Sequence, residues 1–158
     1  MLQKSKTGKA LLICVFIFYA LAMIWLLFIR NRSYAGGNYW QQIGMHMSLV
    51  PFHTIRKYLM VLIQNPNLYE EFDAFANLVS NVAFFVPLGF LLPCLWKKLE
   101  TFKWFLLYIV ALVLAIELIQ LFTLRGICDI DDFILNVFGA CVGFAALRGI
   151  RQKRPARA

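Results

Sequence analysis

Charge is scarce in this chain: Asp, Glu, Lys and Arg make up 15% of its 158 residues, against 61% hydrophobic. Soluble globular domains carry about a quarter charged residues and are about half apolar. A water-soluble fold of this length would need more polar residues to cover its surface, so the composition excludes one. Histidine and cysteine are scarce too. His46 and His53 stand seven positions apart, and Cys14, Cys94, Cys128 and Cys141 are scattered without a CxxC pair. That indicates neither a zinc cluster nor a disulfide framework, and the histidines read as loop residues rather than metal ligands. Three cysteines read as small hydrophobes; Cys128, near the predicted outer surface, reads as the exposed one. The chain also lacks a Ser/His/Asp set, a nucleophile beside a base, and HExxH. Asp129-Ile130-Asp131 opens like a calcium-binding loop, but no glycine or glutamate follows where that loop needs them.

What the chain has instead is apolar blocks of membrane length. Residues 10–29 carry no charge, and at about 1.5 Å per residue they cross a hydrocarbon core of about 30 Å. Lys4, Lys6 and Lys9 before this block, with Ser33-Tyr34-Ala35 after it, have the outline of a secretory signal. Signal cores run to only about 15 residues, so the block reads as a retained span. Further spans are expected at about 74–96, 102–122 and 130–147, with short connections that make consecutive helices antiparallel neighbours. The predicted fold is an all-α, four-helix membrane bundle forming a single domain over residues 1–158.

The net charge of +8 is distributed unevenly. With the amino terminus inside, the cytoplasmic segments hold eleven basic residues, including a tail over 148–158, against Glu100 alone; the outer segments hold five basic residues and seven acids. This positive-inside asymmetry places both termini in the cytoplasm. The tail reads as an anchor on anionic lipid headgroups rather than a nucleic-acid site. The outer segment, 30–73, has its own pattern: Ile55, Tyr58, Leu59, Leu62 and Ile63 recur at helical spacing with Arg56, Lys57 and Gln64 between them. Residues 51–64 are therefore expected as an interfacial amphipathic or re-entrant helix, with Pro51 near its start.

Polar residues inside spans cost free energy, about 2.5–3.5 kcal/mol for a central charge on insertion scales. Here they converge on one depth. Asn77 and Asn81, Glu117 and Gln120, and Asp129, Asp132 and Asn136 follow spacings of three and four, so each set is expected on one helix face near the outer end, with Arg125 in the loop between two of them. Two readings compete: a polar lock, in which these groups bond one another and hold the bundle together, and a pocket. Glu117 and Asp132 favour the pocket, because a carboxylate is an expensive choice where serine would bond. Gly139 and Gly143 form GxxxG, and Ala111 and Ala115 a similar small pair, both expected at helix contacts. Pro87 and Pro93 are expected to bend the second span, with Gly89 allowing close contact beside the bend.

Leu49-Val50-Pro51-Phe52, Asn81 with Phe85-Val86-Pro87-Leu88-Gly89, Glu117-Leu118-Ile119-Gln120, and Asp129-Ile130-Asp131-Asp132 followed by Asn136 and Gly139 together resemble the VanZ-like family of small bacterial membrane proteins. The resemblance implies a cytoplasmic-membrane protein whose founding relatives confer low-level resistance to teicoplanin and related lipoglycopeptides. Its partners would be membrane lipids, with lipid-linked wall precursor or the drug's lipid tail as the ligand bound at the outer surface. An intramembrane enzyme with Glu117 or Asp132 as general base is the alternative, and a cation held by the acidic and amide oxygens is a third reading. Neither a cofactor nor an oligomeric state is implied.

Overall fold

The computed structural model describes residues 6–29, 37–64 and 67–152. Lys4, Arg30, Arg32, Lys153, Arg154 and Arg157, counted in the charge asymmetry, and Ser33-Tyr34-Ala35 lie outside the described residues. Four helices are long and apolar enough to cross a membrane. α1, Lys6–Ile24, runs on as a π-helical turn, Trp25–Ile29; α4 is Leu68–Leu95, α5 Phe102–Phe122 and α6 Ile130–Gln152, with α2 (Tyr39–Met45) and α3 (His53–Gln64) between α1 and α4.

The spanning helices follow the apolar blocks, but α1, α4 and α6 outrun them, α1 beginning at Lys6. α4 begins at Leu68 rather than near 74 because Asn67 caps it, its Oδ1 accepting the Tyr69 N–H at 3.2 Å, and Glu70 and Glu71 favour the positive end of the helix dipole. The outer segment expected to run to 73 is thus already helical from Leu68. α6 continues to Gln152, with Arg151 in its last turn. α4 also stays helical through Pro87 and Pro93.

Packing follows simple stripes. On α5, Phe105, Ile109, Val113, Glu117 and Leu121 recur every fourth position and are buried; on α6 the stripe is Asn136, Gly139/Ala140, Gly143/Phe144 and Leu147. α4 and α6 are backbone-close. A Cβ on Gly89 would overlap the Ala140 carbonyl oxygen, one on Gly139 that of Val82, and one on Gly143 that of Val86. Ala111 and Ala115 lie on the exposed side of α5, so they are not a helix contact: the stripe through Ile109 and Val113 is what faces the bundle. Charge is sorted by end. Arg148 donates to the Glu100 carbonyl at 2.9 Å and Arg151 pairs with its carboxylate at 3.1 Å, tying the α4–α5 turn to the end of α6.

At the opposite end the segment between α1 and α4 is fastened to α6. A two-residue strand, β1 (Met47–Ser48), runs parallel to β2 (Cys128–Asp129), pairing Met47 with Cys128 and Ser48 with Asp129. α3 starts from a tight turn in which Phe52 holds φ 62°, and the Asp131 carboxylate accepts the N–H groups of Phe52, Thr54 and Ile55. A buried acid from a distant helix thus satisfies the free donors that open α3.

Candidate functional site

The acid-rich end of the bundle encloses a polar cavity of about 680 Å³, within the range of small-molecule sites. α4 contributes Asp73, Asn77, Ser80 and Asn81, α5 Glu117 and Gln120, and α6 Asp132 and Asn136; Tyr58 of α3 and Leu26 and Leu27 of the π turn close it. Three of these polar groups, Glu117, Gln120 and Asn136, are buried and continue the helix stripes toward this end. Glu117 is 3% exposed because it continues the row through Ile109 and Val113. Asn136 opens the α6 row in the same way.

The groups bond across helices. Asn81 Nδ2 donates to Asp132 Oδ1 and lies 3.5 Å from Asn77 Oδ1. Glu117 accepts the Asp129 N–H at 3.3 Å and Asn136 Nδ2 at 3.5 Å. Gln120 Nε2 donates to the Leu27 carbonyl at 3.2 Å; a π turn loosens the regular helix ladder, and such turns frequent functional sites. Among the described residues the buried Asn136 Oδ1 has no partner, a cost of about 1–3 kcal/mol for an unmade bond. Burial, helped by the charges of Asp132, Asp129 and Asp73, pushes the Tyr58 phenol above its usual range, so it remains a donor.

Six predicted residues therefore line one cavity: Asn77, Asn81, Glu117, Gln120, Asp132 and Asn136. Asp129 and Arg125 do not. Helical spacing does not apply to Asp129, which lies in β2 before α6 begins; its Oδ1 accepts the Asp131 N–H at 2.8 Å and its Oδ2 the Thr54 hydroxyl at 2.6 Å. Arg125 is exposed; its N–H closes the end of α5 on the Gln120 carbonyl at 2.9 Å, following Leu124, which takes φ 51°. Asp131, absent from the predicted set, is the fully buried acid at the start of α3.

The VanZ/LLP1 family model matches residues 16–151. The chain belongs to the VanZ/LLP1 family. No curated protein and no solved structure matches it. Within this VanZ/LLP1 chain the quoted sequence pieces separate by role: Phe85 to Gly89 lies at the α4–α6 contact, Leu49 to Phe52 forms the turn before α3, and Asp129, Asp131 and Asp132 take three different tasks. Tyr58, Ser80 and Asp73 line the cavity without having been singled out. The signal for Tyr58 was its place on the apolar face of the amphipathic segment, and Asp73 and Asn77 are a helical step of four apart once α4 is known to start at Leu68.

The cavity wall is acidic and amide-rich. Asp73, Glu117 and Asp132 face it with four amides and two hydroxyls, and no Lys or Arg lines it among the described residues. Such a surface accepts hydrogen bonds in excess and disfavours a bare anion.

Proposed function

We propose that this cavity receives the polar headgroup of a membrane amphiphile, one rich in hydroxyl or amino donors, at the outer face of the bacterial cytoplasmic membrane. The observation that carries the reading is the lining itself: three carboxyl groups and four amides converging from three spans, with no cation among the described residues and the buried Asn136 Oδ1 unpartnered. A lock whose groups all bonded one another would leave no cavity of this size between them. Binding of a lipid-linked wall precursor through its sugars, or of a lipoglycopeptide, is the action by which the protein would give low-level protection against teicoplanin-type drugs.

The outward placement is supported by charge. At one end of the described bundle stand Lys6, Lys9, Lys97, Lys98, Lys103, Arg148 and Arg151 with Glu100; the cavity end holds Arg56, Lys57 and Arg125 with seven acids. A basic end facing the cytoplasm satisfies the positive-inside rule, and this supports an orientation with both termini inside. Binding is favoured over catalysis because the bonds of Glu117 and Asp132 go to amides and a backbone N–H, and neither acid bonds a hydroxyl or thiol among the described residues.

The test is Glu117→Gln and Asp132→Asn in a susceptible host, reading lipoglycopeptide susceptibility beside the amount of protein in the membrane. Amides keep the volume and much of the bonding, so both variants are expected at normal abundance without protection. Protection retained in both would leave the polar lock.

A further inference from the structure

A second cavity lies against the first. It occupies about 240 Å³ between α1, α4 and α5, and its wall is almost wholly apolar: Ala20, Met23 and Ile24 of α1 face Phe85 and Leu88 of α4 and Leu112 and Ile116 of α5. Leu27 borders both cavities, and Phe84 and Phe85, adjacent on α4, line one each. The boundary is marked by two polar ties to α1. The Tyr19 hydroxyl, on the apolar side, donates to the Phe84 carbonyl, and Gln120, on the polar side, donates to the Leu27 carbonyl.

We infer that the apolar cavity seats one hydrocarbon chain of the same amphiphile whose headgroup fills the polar cavity, and that α1 is the side wall past which the chain enters from the bilayer. This rests on the headgroup reading above. Three observations commit the groove to that occupant. It adjoins the polar cavity at Leu27, which lines both. It points from the polar end of the bundle toward the membrane interior, since its lining descends α1 from Leu27 to Phe16 as it descends α4 from Phe85 to Leu92. Its wall is also lightly attached: α1 buries only Gly8 and Met23, whereas α4, α5 and α6 each bury six or seven residues. An open apolar groove beside acyl chains is filled by hydrocarbon rather than water, because its wall offers water almost no hydrogen-bond partner. A headgroup bound next door fixes which chain fills it.

The experiment uses the full chain in phosphatidylcholine nanodiscs with two probes: ethyl glucosaminide, which offers hydroxyl and ammonium donors alone, and dodecyl glucosaminide carrying a mid-chain diazirine. Saturation-transfer NMR reads the first, and peptide mapping after photolysis reads the second. Crosslinks are expected at Ala20, Ile24, Leu112 and Ile116. Ala20→Trp should fill the groove and reduce them about tenfold, equivalent to about 1.4 kcal/mol, while ethyl glucosaminide still binds. Phe18→Trp, which adds the same ring on the exposed side of α1, should change neither, and Leu112→Phe serves as a smaller plug if the first variant folds poorly. Crosslinks equally heavy at exposed Phe18, Leu114 and Leu118, unaffected by either plug, would overturn the groove. Loss of the ethyl glucosaminide signal from the unaltered protein, with crosslinks still confined to the groove, would overturn the headgroup reading instead.

Discussion

Three acids within four residues show how far chemistry at one position depends on backbone rather than side chain. Asp129 precedes the helix and braces Thr54 and the first turn of α6; Asp131 accepts three N–H groups that open α3; Asp132 faces the cavity and Asn81. Asp131→Asn removes the charge that holds those donors, a loss of about 1.5–3 kcal/mol and a fall in thermal midpoint of roughly 3–12 °C for a chain this size. Asp132→Asn should barely move the midpoint, and differential scanning fluorimetry of the two in nanodiscs reads the contrast. Cys128 reports on the same neighbourhood. Burial first, then the charges of Glu117 and Asp129, raise its thiol above the ordinary range, and the thiolate is the reactive form. Its labelling should therefore keep rising with pH beyond about 8.5, where an ordinary thiol is half ionised. Glu117→Gln removes a neighbouring negative charge, which lowers the thiol pKa and speeds labelling at fixed pH; an unchanged rate would show that Glu117 presents no charge there. Sequence spacing put Asp129 and Asp132 on one helix face, whereas Asp132 lines the cavity and Asp129 does not: the rule of three and four holds only inside a helix, and the helix starts at Ile130.

Among the elements, the α4–α6 pair carries the closest packing, and it is there that small residues cannot be exchanged. Gly89→Ala and Gly139→Leu drive side chains into the carbonyls of Ala140 and Val82. Overpacking of this kind costs about 1–3 kcal/mol, more for the bulkier residue, so both should lower the amount of protein in the membrane, Gly139→Leu the more. Gly149→Ala meets no atom within 4 Å and should be silent in the same immunoblot. The four spans were legible because apolar length is a property of each segment by itself. Ala111 and Ala115 show the limit of that: a small-residue pair says that an approach is permitted, while the larger stripe on the opposite side of α5 decides which face is buried. The segment between α1 and α4 was legible only at α3, which has an amphipathic period. α2 is seven residues long and β1 two, too short for any period, and β1 exists only through its partner far along the chain.

At the scale of the whole molecule, the separation of charge by end predicts which surface a reagent reaches. A membrane-impermeant maleimide added to intact cells at mildly alkaline pH should label Cys128, at the cavity end, and leave Cys94, beside Arg151 at the basic end; labelling of Cys94 alone would reverse the orientation. The bonds that complete the cavity join distant parts of the chain, since Asn81 and Asp132 are 51 residues apart and Asp131 meets Thr54 across 77. At roughly 5–20 residues per second of synthesis, α3 and α4 wait about 3–15 s for those partners. During that interval the nascent protein already sits in the bilayer with α3 unfastened and the asparagines of α4 without their acid. A chain cut short before α6 would leave Asn81 without Asp132 and the opening of α3 without Asp131, and the cavity without one of its walls.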